Sequence, residues 1–308
     1  MDSELNTTYI TIDAFDNVHV YRYVYFVIIF TAYVLIICSN STIVCLICIH
    51  KNLHEPMYIF IAALLTNSVI FSTAIHPKLL TDLLSEKQVI SYSACLFQFF
   101  MFYTLGTTEF LLLAAMAYDR YVSICKPLHY TTIMTKTTIS VALVLAWLLP
   151  ACHMTVLVIL NADMKLCDLT FKGLFCNNSV YKLHCESSQA LSILGVVTLT
   201  NLILCPVIFI LFTYSKILLI SYRSSAEVRK KAAQTCLPHL LVLIGIVILS
   251  SYDVVIARME SDLPKTARLI MTLQIVLYHP LFNPIIYGLK MKEIHKHLKR
   301  LFCSTKIM

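Results

Sequence analysis

Apolar residues fall along the chain in seven long runs, each closed by polar or basic residues, and this pattern predicts seven membrane-crossing helices. About 20 mainly apolar residues cross a hydrocarbon core of roughly 30 Å. By that ruler the runs extend from about Tyr23 to Ile49, Met57 to Leu84, Tyr92 to Cys125, Thr138 to Leu160, Ser188 to Ser221, Ala232 to Ala257 and Thr266 to Gly288. Pro77, Pro150, Pro206, Pro280 and Pro284 lie inside them, where membrane helices bend without being destroyed because neighbours satisfy the freed carbonyls. From Lys290 to Phe302, Ile294, Leu298, Leu301 and Phe302 share one face, and Lys292, His295, Lys296, Lys299 and Arg300 lie elsewhere. That is the pattern of a short helix lying against membrane lipid. With no Gly- or Ser-rich linker and no repeat, the expectation is one all-α membrane domain. A seven-helix bundle over 23–288 follows a tail, 1–22, and precedes an amphipathic helix and tail, 289–308.

Composition agrees. Hydrophobic residues make up 58% of the chain and charged residues 13%, about half the charged share of a soluble domain. Most of the 24 Lys and Arg residues fall in the segments that face the cytoplasm if the amino terminus is outside, and short basic loops stay inside. The first 22 residues carry Asp2, Glu4, Asp13 and Asp16 without a basic n-region, so no removable signal peptide is expected. Asn6-Thr7-Thr8 and Asn177-Asn178-Ser179 are then glycosylation sequons on the outside, whereas Asn40-Ser41-Thr42 lies within the first helix. Of the 12 cysteines, Cys95, Cys167, Cys176 and Cys185 share the outer face, where two bridges with three possible connectivities are expected. Cys303, beside the amphipathic segment, is a candidate for acylation or a free thiol.

Charged side chains at membrane depth are costly and mark working sites. The segment Met116-Ala117-Tyr118-Asp119-Arg120-Tyr121-Val122-Ser123-Ile124-Cys125 places such a pair at the end of the third helix. It resembles the inner end of that helix in rhodopsin-like (class A) G-protein-coupled receptors, and its continuation through Lys126-Pro127-Leu128-His129-Tyr130 is similar to the odorant-receptor branch. Lys51 to Tyr58, Lys231 to His239 and Pro280 to Leu289 resemble further signatures of that branch, in order, with Asn40, Trp147, Pro206 and Tyr214 at family anchor positions.

The resemblance implies a receptor that binds a small-molecule odorant in the outer half of the bundle. It implies a stimulatory, cyclase-coupled heterotrimeric G protein of the olfactory type, at the plasma membrane of an olfactory sensory neuron. It implies Cys95–Cys176, which leaves Cys167–Cys185. Asp119 would hold Arg120 at rest, with Tyr121, Tyr214, His239, Asn283, Pro284 and Tyr287 in the switch. Pockets of the family lie among helices three, five, six and seven, which nominates Phe102, Tyr103, Gly106, Thr107, Thr198, Leu199, Leu202, Ser250, Ser251 and Val254. Arg258 is the nearest cation, able to grip a carboxylate or to pair with Asp253, Glu260 or Asp262.

The chain departs from the wider family in helix two, where Ser68 stands in place of an aspartate, and near Ile246 and Val247, where an aromatic pair is missing. Glu109, with Thr107, Thr108, Asn283 and Ser68 as oxygen neighbours, is expected to act either in a sodium site or as a protonated, hydrogen-bonded acid. No other cofactor and no nucleic-acid partner are expected. A retinal protein would need a lysine midway along helix seven, but Lys265 lies at its outer rim. A transporter would show inverted repeats and broken helices, yet the chain has only five glycines. His76, His153, His184 and His279 lack metal-ligand spacing, against an enzyme. The alternative is a receptor of the same fold for a peptide, hormone or other non-odorant metabolite.

Overall fold

A computed structural model describes residues 8–13, 21–222, 230, 236–237, 239–251 and 265–304, with side chains in the last stretch described for 272–301. It is a bundle of helices: α1 (Arg22–Ile49), α2 (Pro56–Leu84), α3 (Tyr92–Cys125), α4 (Lys136–Ala162), α5 (Gln189–Tyr222), α6 (described over His239–Ser251), α7 (Lys265–Lys290) and the short α8 (Lys292–Ser304). The first five are long and apolar enough to cross a membrane. Their starts are set by local chemistry. Pro56 opens α2 at the first turn, where its missing N–H costs nothing. Ser91, Thr135 and Ser188 cap α3, α4 and α5 by accepting from the backbone N–H three residues on, that of Ala94, Thr138 and Leu191.

Side-chain amides tie the helices together where proline has removed a backbone donor. Pro284 has no N–H to give the carbonyl of Pro280, one turn earlier. Asn40 of α1 fills the gap: its Nδ2 donates to Pro280 O and to Ile36 O, both at 2.8 Å. Asn67 of α2 donates to Leu105 O of α3 at 2.9 Å and accepts from Trp147 Nε1 of α4 at 3.2 Å. Pro206 acts inside α5. It cannot donate to Leu202, and the residues just before it, Thr200–Leu204, widen into a π turn in which Cys205 N–H reaches back to Thr200 O.

Three strands cover one end of the bundle: β1 (Tyr9–Ile12), β2 (Val89–Ser91) and β3 (Thr170–Phe171). The order is β2-β1-β3, with β1 antiparallel to β2 and parallel to β3. Disulfides Cys95–Cys176 and Cys167–Cys185 pin the same end. Within β1 the period-two alternation sends Ile10 and Ile12 down into a cluster with Ile90, Phe171 and Phe175, while Tyr9 is 61% exposed. At the opposite end α8 turns against the bundle, Ile294 in the main core and Leu298 packed on it. A Cβ on Gly288 would stand 3.2 Å from Leu298, so glycine permits that close approach.

Ile10 is fully buried, and truncating such a residue costs about 2–5 kcal/mol. Ile10→Ala is expected to lower the thermal midpoint of the purified chain in lipid nanodiscs well below that of Tyr9→Ala. Equal midpoints would show that β1 contributes nothing.

Candidate functional site

At the end of α3 remote from the disulfides, Asp119 is fully buried. Arg120 Nε donates to Asp119 Oδ2 at 2.9 Å, and its Nη2 donates to the same oxygen. The other carboxylate oxygen accepts from the Tyr130 hydroxyl at 2.8 Å, across the turn that follows α3. Burial first, and then the neighbouring carboxylate, push the Tyr130 phenol above its ordinary pKa, so it stays a donor. A buried carboxylate is tolerated here because both oxygens have partners.

Around this pair, α5, α6 and α7 contribute Tyr214, His239 and Tyr287 to one buried region. His239 Nδ1 lies 3.3 Å from the Tyr287 hydroxyl and joins α6 to α7. The Tyr214 hydroxyl and His239 Nε2 are buried and have no hydrogen-bond partner among the described residues. Orphaned polar atoms in a closed core are rare and call for an explanation. Tyr121 is half-buried and packs against this core.

One turn before Tyr287 on α7, Asn283 Nδ2 donates to Glu109 Oε1 at 3.1 Å and to Ser68 Oγ at 3.2 Å. The expected trio therefore meets, with the amide between the two oxygens. Thr107 and Thr108 do not join it. Their hydroxyls donate to α3 carbonyls, those of Tyr103 and Thr104.

Two cavities lie between this network and the disulfide end. The larger, about 590 Å³, is walled by α3 (Phe99, Tyr103, Thr107), α4 (Met154, Leu157), α5 (Leu191, Gly195, Thr198, Leu199, Ile203) and loop residues from Asn178 to Ser188. The smaller, about 80 Å³, lies among α2, α3, α6 and α7, with Phe102, Gly106, Glu109, Ser250 and His279 in its wall. Tyr103, Thr107 and Ile203 line both. The loop is held by Asn178 N donating to Tyr103 Oη at 2.9 Å, and by Gln98 Oε1 accepting from Cys176 N at 3.0 Å.

The nominated pocket residues divide accordingly. Tyr103, Thr107, Thr198 and Leu199 line the larger chamber, and Phe102, Gly106 and Ser250 the smaller. Leu202 lines neither: it packs with Phe99, Met154, Leu157 and Leu191, turned there by the π segment, which breaks the straight helical period. Ser251 points outward, its hydroxyl on Val247 O at 2.7 Å. The larger chamber has α4 and the loop in place of α6 and α7 among its described residues, whereas the smaller has the expected α3, α6 and α7 with Ile203 of α5. Val254, Arg258 and Asn6 lie outside the described residues, as does the side chain of Cys303. Asn177 is half-buried, its Oδ1 accepting from Ser179 N at 3.1 Å. Tyr130 was quoted in the sequence motif without a role, and Ile203 carried no signal beyond its distance from Pro206.

Comparisons with known proteins converge. The family model described as olfactory receptor matches residues 29–305. Olfactory receptor 1 of Rattus norvegicus is 31% identical over 298 residues, covering 93% of this chain and 92% of that protein. Olfactory receptor 10J5 of Homo sapiens is 34% identical over 288 residues, 89% of each chain. In fold, the crystal structure of squid rhodopsin matches with a TM-score of 0.75 at 16% identity, over 93% of this chain and 87% of that one.

Removing the Tyr130 hydroxyl leaves one Asp119 oxygen buried without its partner, at a cost of about 1–3 kcal/mol. Tyr130→Phe is expected to lower the thermal midpoint of the purified chain, and Tyr118→Phe, whose ring packs on Phe209, to leave it nearly unchanged. Equal effects would remove Tyr130 from the site.

Proposed function

The chain belongs to the olfactory receptor family, a multi-pass membrane receptor and not an enzyme, and on that premise we propose that it binds an odorant beneath the disulfide-pinned loop and activates an olfactory-type stimulatory G protein, raising cyclic AMP. In this reading the disulfide end faces outward and the Asp119–Arg120 end faces the cytoplasm of an olfactory sensory neuron, at the plasma membrane. The basic loops favour that orientation. Asn6 and Asn177 are then the proposed glycan acceptors and Cys303 the proposed acyl site at the inner leaflet.

The observation that carries the switch is the sequestered guanidinium. Arg120 is bound to a carboxylate that Tyr130 also holds, while Tyr214 and His239 keep unpartnered polar atoms in the same buried region. Movement of α6 away from α7 separates His239 from Tyr287 and opens the cytoplasmic end. Arg120 then leaves Asp119, and the Tyr214 and Tyr287 hydroxyls accept from it while a G-protein segment enters.

A route from the chambers to this switch runs through packed and hydrogen-bonded groups. Tyr103, Thr107 and Ile203 separate the two chambers, Glu109 lines the inner one, and Glu109 is bonded to Asn283, one turn from Tyr287 and just before Pro284. A ligand that favours the wider arrangement of this wall shifts α7 and its contact with α6. It acts only through its preference for the active form: about 5.5 kcal/mol of differential affinity carries a 1:99 balance to 99:1. In the resting form the Asn283 amide takes the place between Glu109 and Ser68 that a cation would need. A sodium ion is the proposed alternative occupant when Glu109 is ionised and Asn283 turns its oxygen inward.

The test is Arg120→Ala in cells carrying a cyclic-AMP reporter, against a panel of acids, amines, alcohols and thiols at matched surface expression. The variant is expected to reach the surface and to give no ligand-stimulated cyclic AMP. Normal signalling would refute the role of Arg120.

A further inference from the structure

Resting on the receptor reading above, we infer that the ligand is an uncharged aliphatic alcohol seated in the larger chamber, its hydroxyl on Thr107 and its hydrocarbon chain against Gly195. At about 590 Å³ the chamber falls within the usual range for small-molecule sites, roughly 300–1,000 Å³. Much of its helical wall is apolar, built from Phe99, Met154, Leu157, Leu191 and Ile203, with Thr107 and Thr198 as hydroxyl-bearing members; Tyr103, Tyr181, Ser188 and Ser192 bring further hydroxyls to the lining. An ionised head group placed there would lose its water without gaining a counter-charge, a heavy penalty in a low-dielectric wall. Lys182 and Glu186 are the charged residues among its described lining, and both are exposed, at the solvent edge, and opposite in sign. His184 does not alter this balance, because burial holds its imidazole below the ordinary pKa and its Nε2 lies 3.2 Å from the Tyr92 hydroxyl. The charge pattern of the described lining thus disfavours both carboxylates and ammonium ions.

Hydrogen-bond polarity narrows the class further. Thr107 owns one hydroxyl proton, and its contact with Tyr103 O at 2.6 Å, the shorter of its two backbone contacts, uses it. What Thr107 offers a ligand is therefore lone pairs, so a group seated on it must donate, as an alcohol does and an aldehyde, ketone or ether at that position does not. Thr198, the second hydroxyl, is shared with His153 Nδ1 at 3.3 Å across α4 and α5.

Size is set at Gly195. A Cβ built there meets nothing within 4 Å, so a side chain would stand in the chamber without pressing on the protein. Gly106 has the same freedom toward the smaller chamber, which makes the two glycines separate probes of the two spaces.

Binding is read as ligand-induced stabilisation of the purified full chain in lipid nanodiscs, a measurement independent of any G protein. The probes are straight-chain alcohols of increasing length with their matching acids, amines, aldehydes and methyl ethers. Alcohols are expected to bind best. Thr107→Val should weaken the alcohol by roughly three- to tenfold and leave the methyl ether within about twofold, the span of one lost neutral hydrogen bond. Gly195→Leu should weaken long alcohols by more than about tenfold and spare short ones, a length dependence that misfolding would not produce. Preference for acids or amines, equal effects of Thr107→Val on alcohol and ether, or loss in Gly106→Leu with Gly195→Leu unaffected would each overturn the inference. A chain that binds alcohols by these rules yet raises no cyclic AMP would uphold this inference and refute the proposed coupling.

Discussion

A hydrocarbon interior offers no hydrogen bonds, so every polar group carried into it must be met by another group of the same chain. The bundle is organised around that requirement more than around apolar packing alone, since lipid tails satisfy leucine as well as a neighbouring helix does. Each helix-to-helix tie described above answers a particular unsatisfied group. Asn40 serves the carbonyl that Pro284 abandons, Asn67 and Trp147 connect three helices through one amide, and Asn283 joins two oxygens from two further helices. These amides sit at different depths along the bundle, and between them they fix how the helices stand before any ligand is considered.

The same requirement explains why function collects where it does. A group satisfied by one partner is static; a group that two arrangements can satisfy equally well makes the bundle bistable. Arg120 and Asp119 are matched in this structure, whereas Tyr214 and His239 retain polar atoms unpaired among the described residues, which makes the latter two the groups that the proposed switch would give new partners.

Much of this could be read from the chain. Tyr92 to Cys125 was legible as one helix because its apolar run is long and is closed by polar and basic residues, a local signal. The meeting of Glu109, Ser68 and Asn283 was expected because Ser68 stands where the wider family holds an aspartate and Glu109 is the carboxyl able to substitute for it. What could not be read depended on long-range pairing or on a break in period. β1 spans only four residues, and nothing in Tyr9-Ile10-Thr11-Ile12 announces partners at Val89–Ser91 and Thr170–Phe171. Leu202 was nominated from where the family's pockets lie; in the structure, with a π turn at Thr200–Leu204 ahead of Pro206, Leu202 packs among neighbouring side chains and Ile203 lines the wall. Pro206 was visible; the local widening it induces was not.

The placement of β1 between β2 and β3 sets the order in which the molecule can be completed. Its residues leave the ribosome before either partner exists, with two helices to be inserted before β2 and two more before β3. During that interval Ile10 and Ile12 have no place to be buried. The central strand of the cap is therefore synthesised first yet gains its second partner only after α1 to α4 have been made, so a complete cap reports that four helices precede it in the chain.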